Sequence, residues 1–287
     1  MSVKAATPSA DNFVNALLGQ HKALKNELLN NQFNRPLVLN STESADSLKG
    51  EIYAVLDYPF KKVNSAINNP NHWCDVLILH INVKYCRVEI NNAGSGNTGT
   101  VLNINLGKKY DQPLADTHKA KFNYDSITNA ADYFSIELKA ADGPLGTKDY
   151  RIWVEATPLD NNQTFLHFTY AYSFGFSGRL AMKGYLATIG KDKVGFSILS
   201  TQNGKPEYVQ GVRGVVERNT MRYYLAIDAY LAAANTANNE VENNLLEKRL
   251  ENWFDSTERY ATQLHEVDKI DYLNMKRSEV ERQKLAN

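Results

Sequence analysis

Cysteine is scarce in this sequence: Cys74 and Cys86 are the only two among 287 residues. Two cysteines cannot build a disulfide framework, and no Cys/His spacing fits a zinc site, so no metal is expected. Buried free thiols are the expected state. The alternative is one disulfide closing a small loop, which would favour an oxidising compartment. A surplus of either charge is also missing, since 32 Lys and Arg balance 32 Asp and Glu. General nucleic-acid binding needs excess cations to neutralise phosphates, so the balance argues against nucleic acid as a partner. No apolar run approaches the ~18 residues of a membrane-spanning helix, which argues against an integral membrane segment. No charged-then-apolar leader opens the chain, although Val3-Lys4-Ala5-Ala6 has the small-x-small look of a cleavage site. The protein is expected to be cytoplasmic if Met1 is its native start, and periplasmic or exported if a leader was removed. There is no Gly-x-Ser-x-Gly nucleophile elbow. Gly94-Ser95-Gly96-Asn97-Thr98-Gly99 lacks the Gly-Lys-Ser/Thr ending of a phosphate loop and precedes a strand, so it reads as a hairpin. No cofactor and no catalytic residue is expected.

What is present is a long helical pattern. In Val209–Ala234, the residues Val212, Val216, Asn219, Tyr223, Ile227 and Tyr230 recur at steps of three and four. That spacing puts them on one stripe of a helix of about 25 residues, roughly 37 Å long at 1.5 Å per residue. Its other sides carry Arg213, Glu217, Arg218 and Arg222, with Arg213 and Glu217 spaced as an i,i+4 pair. The composition, 43% hydrophobic with 16 tyrosines, is enough to bury a substantial core around it.

Ahead of this helix the chain reads as strands. Asp11 can cap a helix over Asn12–Asn30, Leu37–Asn40 is a short strand, and Asn40–Ser47 reads as a loop. The main domain is expected to begin at Lys49 with a strand over Gly50–Asp57, followed by a short helix started by Pro59. A further helical turn is expected around His72–Leu79. Strands follow at Lys84–Ile90, Thr100–Leu106, Lys119–Ile127, Tyr133–Ala140, Asp149–Pro158 and Thr164–Phe174. Their short, turn-like connections predict an antiparallel meander. Ser177–Gly190 is expected to be helical and Lys193–Tyr208 to hold a small hairpin around Gln202-Asn203-Gly204. Glu240–Tyr260 and Glu266–Lys284 read as two charged amphipathic helices.

The strand Gly50–Asp57, the turn Tyr58-Pro59-Phe60-Lys61-Lys62-Val63 with Trp73 after it, and the stripe Val212–Tyr230 together resemble the START-like superfamily. This is also called the polyketide cyclase, SRPBCC, Bet v 1-like or helix-grip fold, and the chain looks like an uncharacterised bacterial group within it. The resemblance implies an α+β fold in which an antiparallel sheet wraps a long C-terminal helix and leaves a cavity between them. It implies three parts: a 1–48 extension with a helix, a 49–234 helix-grip domain carrying an insertion at 177–208, and a 235–287 helical extension. The insertion and both extensions depart from the family's common core.

Thr164–Phe174 alternates Leu166, Phe168, Tyr170, Tyr172 and Phe174 on one face against Phe165, His167, Thr169, Ala171 and Ser173 on the other. The first face is expected to be concave, joined by Tyr150, Ile152 and Val154. Arg151, Trp153 and Glu155 then lie outside, with Trp153 expected under a terminal helix. The candidate ligand-binding residues are Phe168, Tyr170, Tyr172, Asn219 and Tyr223. A tyrosine offers both an apolar ring and a hydroxyl, and a buried amide such as that of Asn219 needs a partner. His72, His80 and His118 are candidate bases in principle, but each reads better as a surface or capped histidine. The expected function is binding or transport of a hydrophobic small molecule such as a lipid, without catalysis. The alternatives are a cyclase- or aromatase-like enzyme using cavity tyrosines and a histidine, or an interaction module with a filled cavity. In the latter, a protein partner would dock through the C-terminal helices.

Overall fold

Period-two alternation builds the large sheet on which the structure rests. The computed structural model describes residues 10–91, 99–188, 192–236 and 242–285. Helices α1 (Ala10–Ala23) and α2 (Lys25–Leu29) lead into strands β1 (Leu37–Glu43) and β2 (Ser47–Leu56). The helix expected over Asn12–Asn30 is thus split in two, with Leu24 at the break. Next come α3 (Phe60–Ile67) and α4 (Pro70–Leu77), then β3 (Val83–Asn91), β4 (Gly99–Leu106), β5 (His118–Asn129) and β6 (Phe134–Asp142). The series continues through β7 (Thr147–Pro158), β8 (Thr164–Phe174), α5 (Phe176–Ala187), β9 (Ile198–Gln202) and β10 (Lys205–Tyr208). It closes with α6 (Gly211–Thr236), α7 (Glu242–Glu258), α8 (Ala261–Leu264) and α9 (Lys269–Leu285). The glycine-rich hairpin expected at Gly94–Gly99 falls largely outside the described residues.

Prolines set the two short helices: Pro59 stands at the N-cap of α3 and Pro70 in the first turn of α4. Asn203 and Gly204 both adopt positive φ, at 50° and 76°, which gives β9 and β10 the two-residue turn that matches strand twist.

Eight strands form one antiparallel sheet in the order β1-β2-β8-β7-β6-β5-β4-β3. Strands β3 to β8 are the expected meander, and β8 returns to pair with β2. The sheet grips α6, which makes the molecule an α+β helix-grip fold. The sheet starts at Leu37 rather than at Lys49, because β1 pairs along β2 from Leu37↔Ala54 to Glu43↔Leu48. The two layers approach closely at Gly50, where an added Cβ would lie 2.1 Å from Thr220 Oγ1. Only a residue without a side chain fits that crossing.

The concave face and α6 share one core that includes Ile52, Ile104, Ile136, Leu138, Val154, Phe168, Met221, Leu225 and Ile227. The convex face carries a smaller cluster in which α1 and α2 cover Tyr133 and Phe165 through Leu17, Leu24 and Leu28. Trp153 stands outside the cluster under α1 and α2; it is half-buried, with the Arg151 guanidinium 4.9 Å over its ring.

One expectation fails here for a physical reason. The cysteines are not free thiols: Cys74 on α4 and Cys86 on β3 form a disulfide, their Cα atoms 5.1 Å apart. The charged sides of α6 are enclosed, since Glu217, Arg218 and Arg222 are all buried. Residues 194–197 and the C-terminal helices cover them. Glu217 accepts the Phe196 and Ser197 backbone N–H groups at 2.6 and 2.9 Å and the Ser41 hydroxyl at 2.5 Å, with Arg213 at 3.9 Å. Helices α7 and α9 commit their apolar side chains, including Leu250, Trp253, Tyr272 and Met275, to the same core. The hold of α9 is ionic as well. Glu279 receives the Lys84 and Lys276 ammoniums at 2.9 and 2.8 Å, all three side chains fully buried. Lys276 also donates to the His80 and Val83 carbonyls at 2.8 Å.

Candidate ligand cavity

Between α6 and strands β5, β7 and β8 lies a cavity of about 470 Å³. Side chains on the concave side of β7 and β8 point into it because the pleat turns every second residue that way. They supply Tyr150, Tyr170 and Tyr172, while β5 adds His118 and Phe122. Helix α6 contributes Val215, Arg218, Asn219, Arg222 and Tyr223. The turn ahead of β3 adds His80 and Asn82, and the segment between β4 and β5 adds Lys108, Lys109, Gln112 and Asp116.

Four of the five candidate residues therefore meet around this space: Tyr170, Tyr172, Asn219 and Tyr223. Phe168 does not join them. It lies fully buried further along β8, opposite Ile52 and Val154, and is core rather than lining. The tyrosines form a packed wall. The Tyr150 and Tyr172 rings stack at 5.2 Å, and Tyr170 lies 5.1 Å from Tyr223 and 5.6 Å from Tyr172. The Tyr150 and Thr147 hydroxyls are 2.7 Å apart. Burial pushes the Tyr170, Tyr172 and Tyr223 phenols upward, so all three keep their protons at neutral pH. Asn219 is half-buried, and its amide bonds neither Tyr170 nor Tyr172.

The sequence reads His80 as a surface or capped histidine that could also lie at the cavity mouth; it is 2% exposed and lines the cavity. Its ring stacks on Tyr223 at 4.3 Å. Burial, helped by the charges of Arg222, Lys276 and Lys109, holds its pKa well below the usual histidine value, so the imidazole is neutral. The Asn82 N–H donates to Nδ1 at 3.2 Å, which leaves the ring proton on Nε2. That Nε2–H has no hydrogen-bond partner among the described residues, and neither has Nε2 of His118. His72 lies elsewhere, with Nδ1 2.9 Å from the Ala66 carbonyl. His167 sits on the convex face between Glu155 at 2.7 Å and Glu51 at 3.3 Å.

The α6 end of the cavity is cationic. Arg222 and Lys109 each reach Glu266 at 2.6 Å, and Lys193 reaches it at 3.2 Å. Burial and the neighbouring Arg222 lower the Lys109 pKa to about 8 in spite of Glu266. Burial raises the Glu266 carboxyl, but Arg222, Lys109 and Lys193 outweigh it and hold the group below the usual carboxylate range. Arg218 is 2% exposed and donates to the Val194 carbonyl at 3.0 Å. Sequence reasoning passed over these cations because they stand off the apolar stripe. The available signal was the i,i+4 pair Arg218 and Arg222 flanking Asn219.

Among the described residues, no group of three or more His, Cys, Asp or Glu side chains is placed to hold a metal ion. No helix among them is long and apolar enough to cross a membrane.

The fold is of the Bet v 1-like and START-like helix-grip class, as the sheet order and the gripped α6 show. No protein-family model matches the sequence, and no curated protein matches it. Solved structures do. Ara h 8.0201 is 9% identical, covering 65% of this chain and 99% of its own, with a TM-score of 0.35. Human StAR-related lipid transfer protein 5 is 9% identical, covering 62% and 89%, with a TM-score of 0.33. Norcoclaurine synthase from Thalictrum flavum is 13% identical, covering 64% and 86%, with a TM-score of 0.33. At these scores the likenesses carry no functional argument, and function has to be read from the cavity.

Proposed function

We propose that the protein binds a hydrophobic small molecule in the cavity between sheet and helix, without chemistry upon it. The observation carrying this reading is the cavity itself: about 470 Å³, walled by Tyr150, Tyr170, Tyr172 and Tyr223 and set with a few polar groups. That volume lies within the usual range for small-molecule sites. The open volume speaks against an interaction module with a filled cavity. So does the commitment of Leu250, Trp253 and Tyr272 to the core, which takes up apolar surface a partner at the C-terminal helices would need. An enzyme using the tyrosines as proton carriers fits less well, because a general acid or base works best with a pKa near the operating pH. Burial instead drives these phenols upward.

Native mass spectrometry of protein purified without detergent tests the reading directly, a copurified small molecule being the expected result. In a second assay, Tyr170→Phe combined with Asn219→Leu is expected to lower affinity for a polar-headed ligand about tenfold, the worth of roughly one hydrogen bond. Unchanged affinity would sink the proposal for those two residues.

A further inference from the structure

We infer that the ligand of this cavity is an organic anion, an aromatic or similarly apolar body ending in a carboxylate or phosphate that docks against Arg218. The inference rests on the cavity reading above and adds the charge of the ligand. Its first support is Arg218, a buried guanidinium that lines the cavity and forms no ion pair among the described residues. One of its amino groups is taken by the Val194 carbonyl at 3.0 Å. A guanidinium carries five donors, and a buried charge without a counter-ion is costly.

The second support is the charge balance next to it. Glu266 is the one carboxylate shared by Arg222, Lys109 and Lys193. Asp116 is the only acidic residue among the lining, and it is exposed. The lining side chains thus include four cationic groups, Lys108, Lys109, Arg218 and Arg222, beside that single carboxylate.

The third support is His80, 98% buried by its 2% exposure, whose Nε2–H lacks a partner and borders the same space. Guanidinium, ammonium and Nε2–H all donate and none accepts, so the complementary ligand atom is an acceptor oxygen carrying negative charge. A planar guanidinium suits a carboxylate and a phosphate alike. An apolar body supplies what the tyrosine wall can bury. Burying such a body only offsets the low end of the cost of association, so the charged head decides affinity.

The test is calorimetric titration of the full chain with three probes that share one ring system: 1-naphthaleneacetate, 1-naphthyl phosphate and the neutral 2-(1-naphthyl)ethanol. At least one anion is expected to bind ten or more times tighter than the alcohol, about 1.4 kcal/mol. The better of the two anions then identifies the head group. Arg218→Gln is expected to bring the ratio to within about threefold, whereas Arg218→Lys retains a preference. Should Arg218→Gln fail to fold, salt dependence of the wild-type chain decides. Raising NaCl from about 0.05 to about 0.5 M must weaken the anion more than the alcohol. Equal binding of all three probes overturns the anion inference and leaves the cavity reading standing. Binding of none overturns both. An anion preference that Arg218→Gln does not move overturns the placement of the head group.

Discussion

Replacing Gly50 by alanine puts one methyl group where α6 crosses the sheet. The new Cβ would stand 2.1 Å from Thr220 Oγ1, 3.0 Å from its Cβ and 3.2 Å from its Cγ2. Carbon atoms rest at about 3.5–4.0 Å, so helix and strand must part or Thr220 must rotate. Rotation gives up the 2.7 Å bond from the Thr220 hydroxyl to the Val216 carbonyl in a fully buried place. Overpacking of this kind costs about 1–3 kcal/mol. Against it, alanine in a strand interior gains roughly 0.5–1 kcal/mol over glycine by lowering chain entropy. The net expectation is a loss of about 1–2 kcal/mol, read as a lower urea midpoint with an unchanged slope. Gly50 stands opposite Tyr170 in β8, and Thr220 follows Asn219 on α6, so a parted helix also widens the cavity floor. Thr220→Ala removes the two atoms at 2.1 and 3.2 Å. The double variant is therefore expected to recover at least about 1 kcal/mol relative to the sum of the single effects. A Gly50→Ala protein as stable as wild type, or strictly additive effects, would refute the close-approach reasoning.

Three further outcomes are expected. Glu279→Gln strands the buried Lys84 and Lys276 ammoniums and should cost about 3–5 kcal/mol in calorimetric unfolding; a shift of melting temperature within error would show that the cluster is not a paired unit. Reducing Cys74–Cys86 reopens a loop of 12 residues' separation and should cost about 3 kcal/mol, so equal urea midpoints with and without reductant would contradict it. Lys276 and Lys109 titrate at about 8 in the folded chain against 10.5 when free, so the unfolded state holds more protons between these values. Stability should accordingly rise from pH 8 towards pH 9.5, below the range where tyrosines ionise, and a falling urea midpoint over that interval would be the contrary result.

Much of the scaffold is legible because it rests on local rules. Pro59 and Pro70 start helices, Asn203-Gly204 makes a tight turn, and the alternation in Thr164–Phe174 puts Tyr170 and Tyr172 on one face. Failures come where one segment's environment is set by another. The polar half of β1 reads as a loop because an edge strand needs little apolar content, and only its pairing with β2 reveals it. The spacing of Cys74 and Cys86 says nothing about α4 folding back on β3. His80 looks like a surface residue until Tyr223 of α6 and Lys276 of α9 are seen to enclose it. Phe168 shares its strand face with Tyr170 but lies beyond the end of the cavity, a distinction that alternation cannot make.

The same dependence explains why residues 194–197 and the C-terminal helices pack against a charged α6. A buried polar group needs a partner, and Glu217, Arg218 and Arg222 each find one on these segments. Glu217 is met by Phe196 and Ser197, together with Ser41 of β1. Arg218 is met by the Val194 carbonyl, and Arg222 by Glu266 between α8 and α9. Enclosing them turns the far side of α6 into a second buried layer and carries its cations to the edge of the cavity. The Val194 carbonyl leaves the charge of Arg218 without a counter-ion among the described residues. An anionic ligand at Arg218 would complete the compensation that this carbonyl begins.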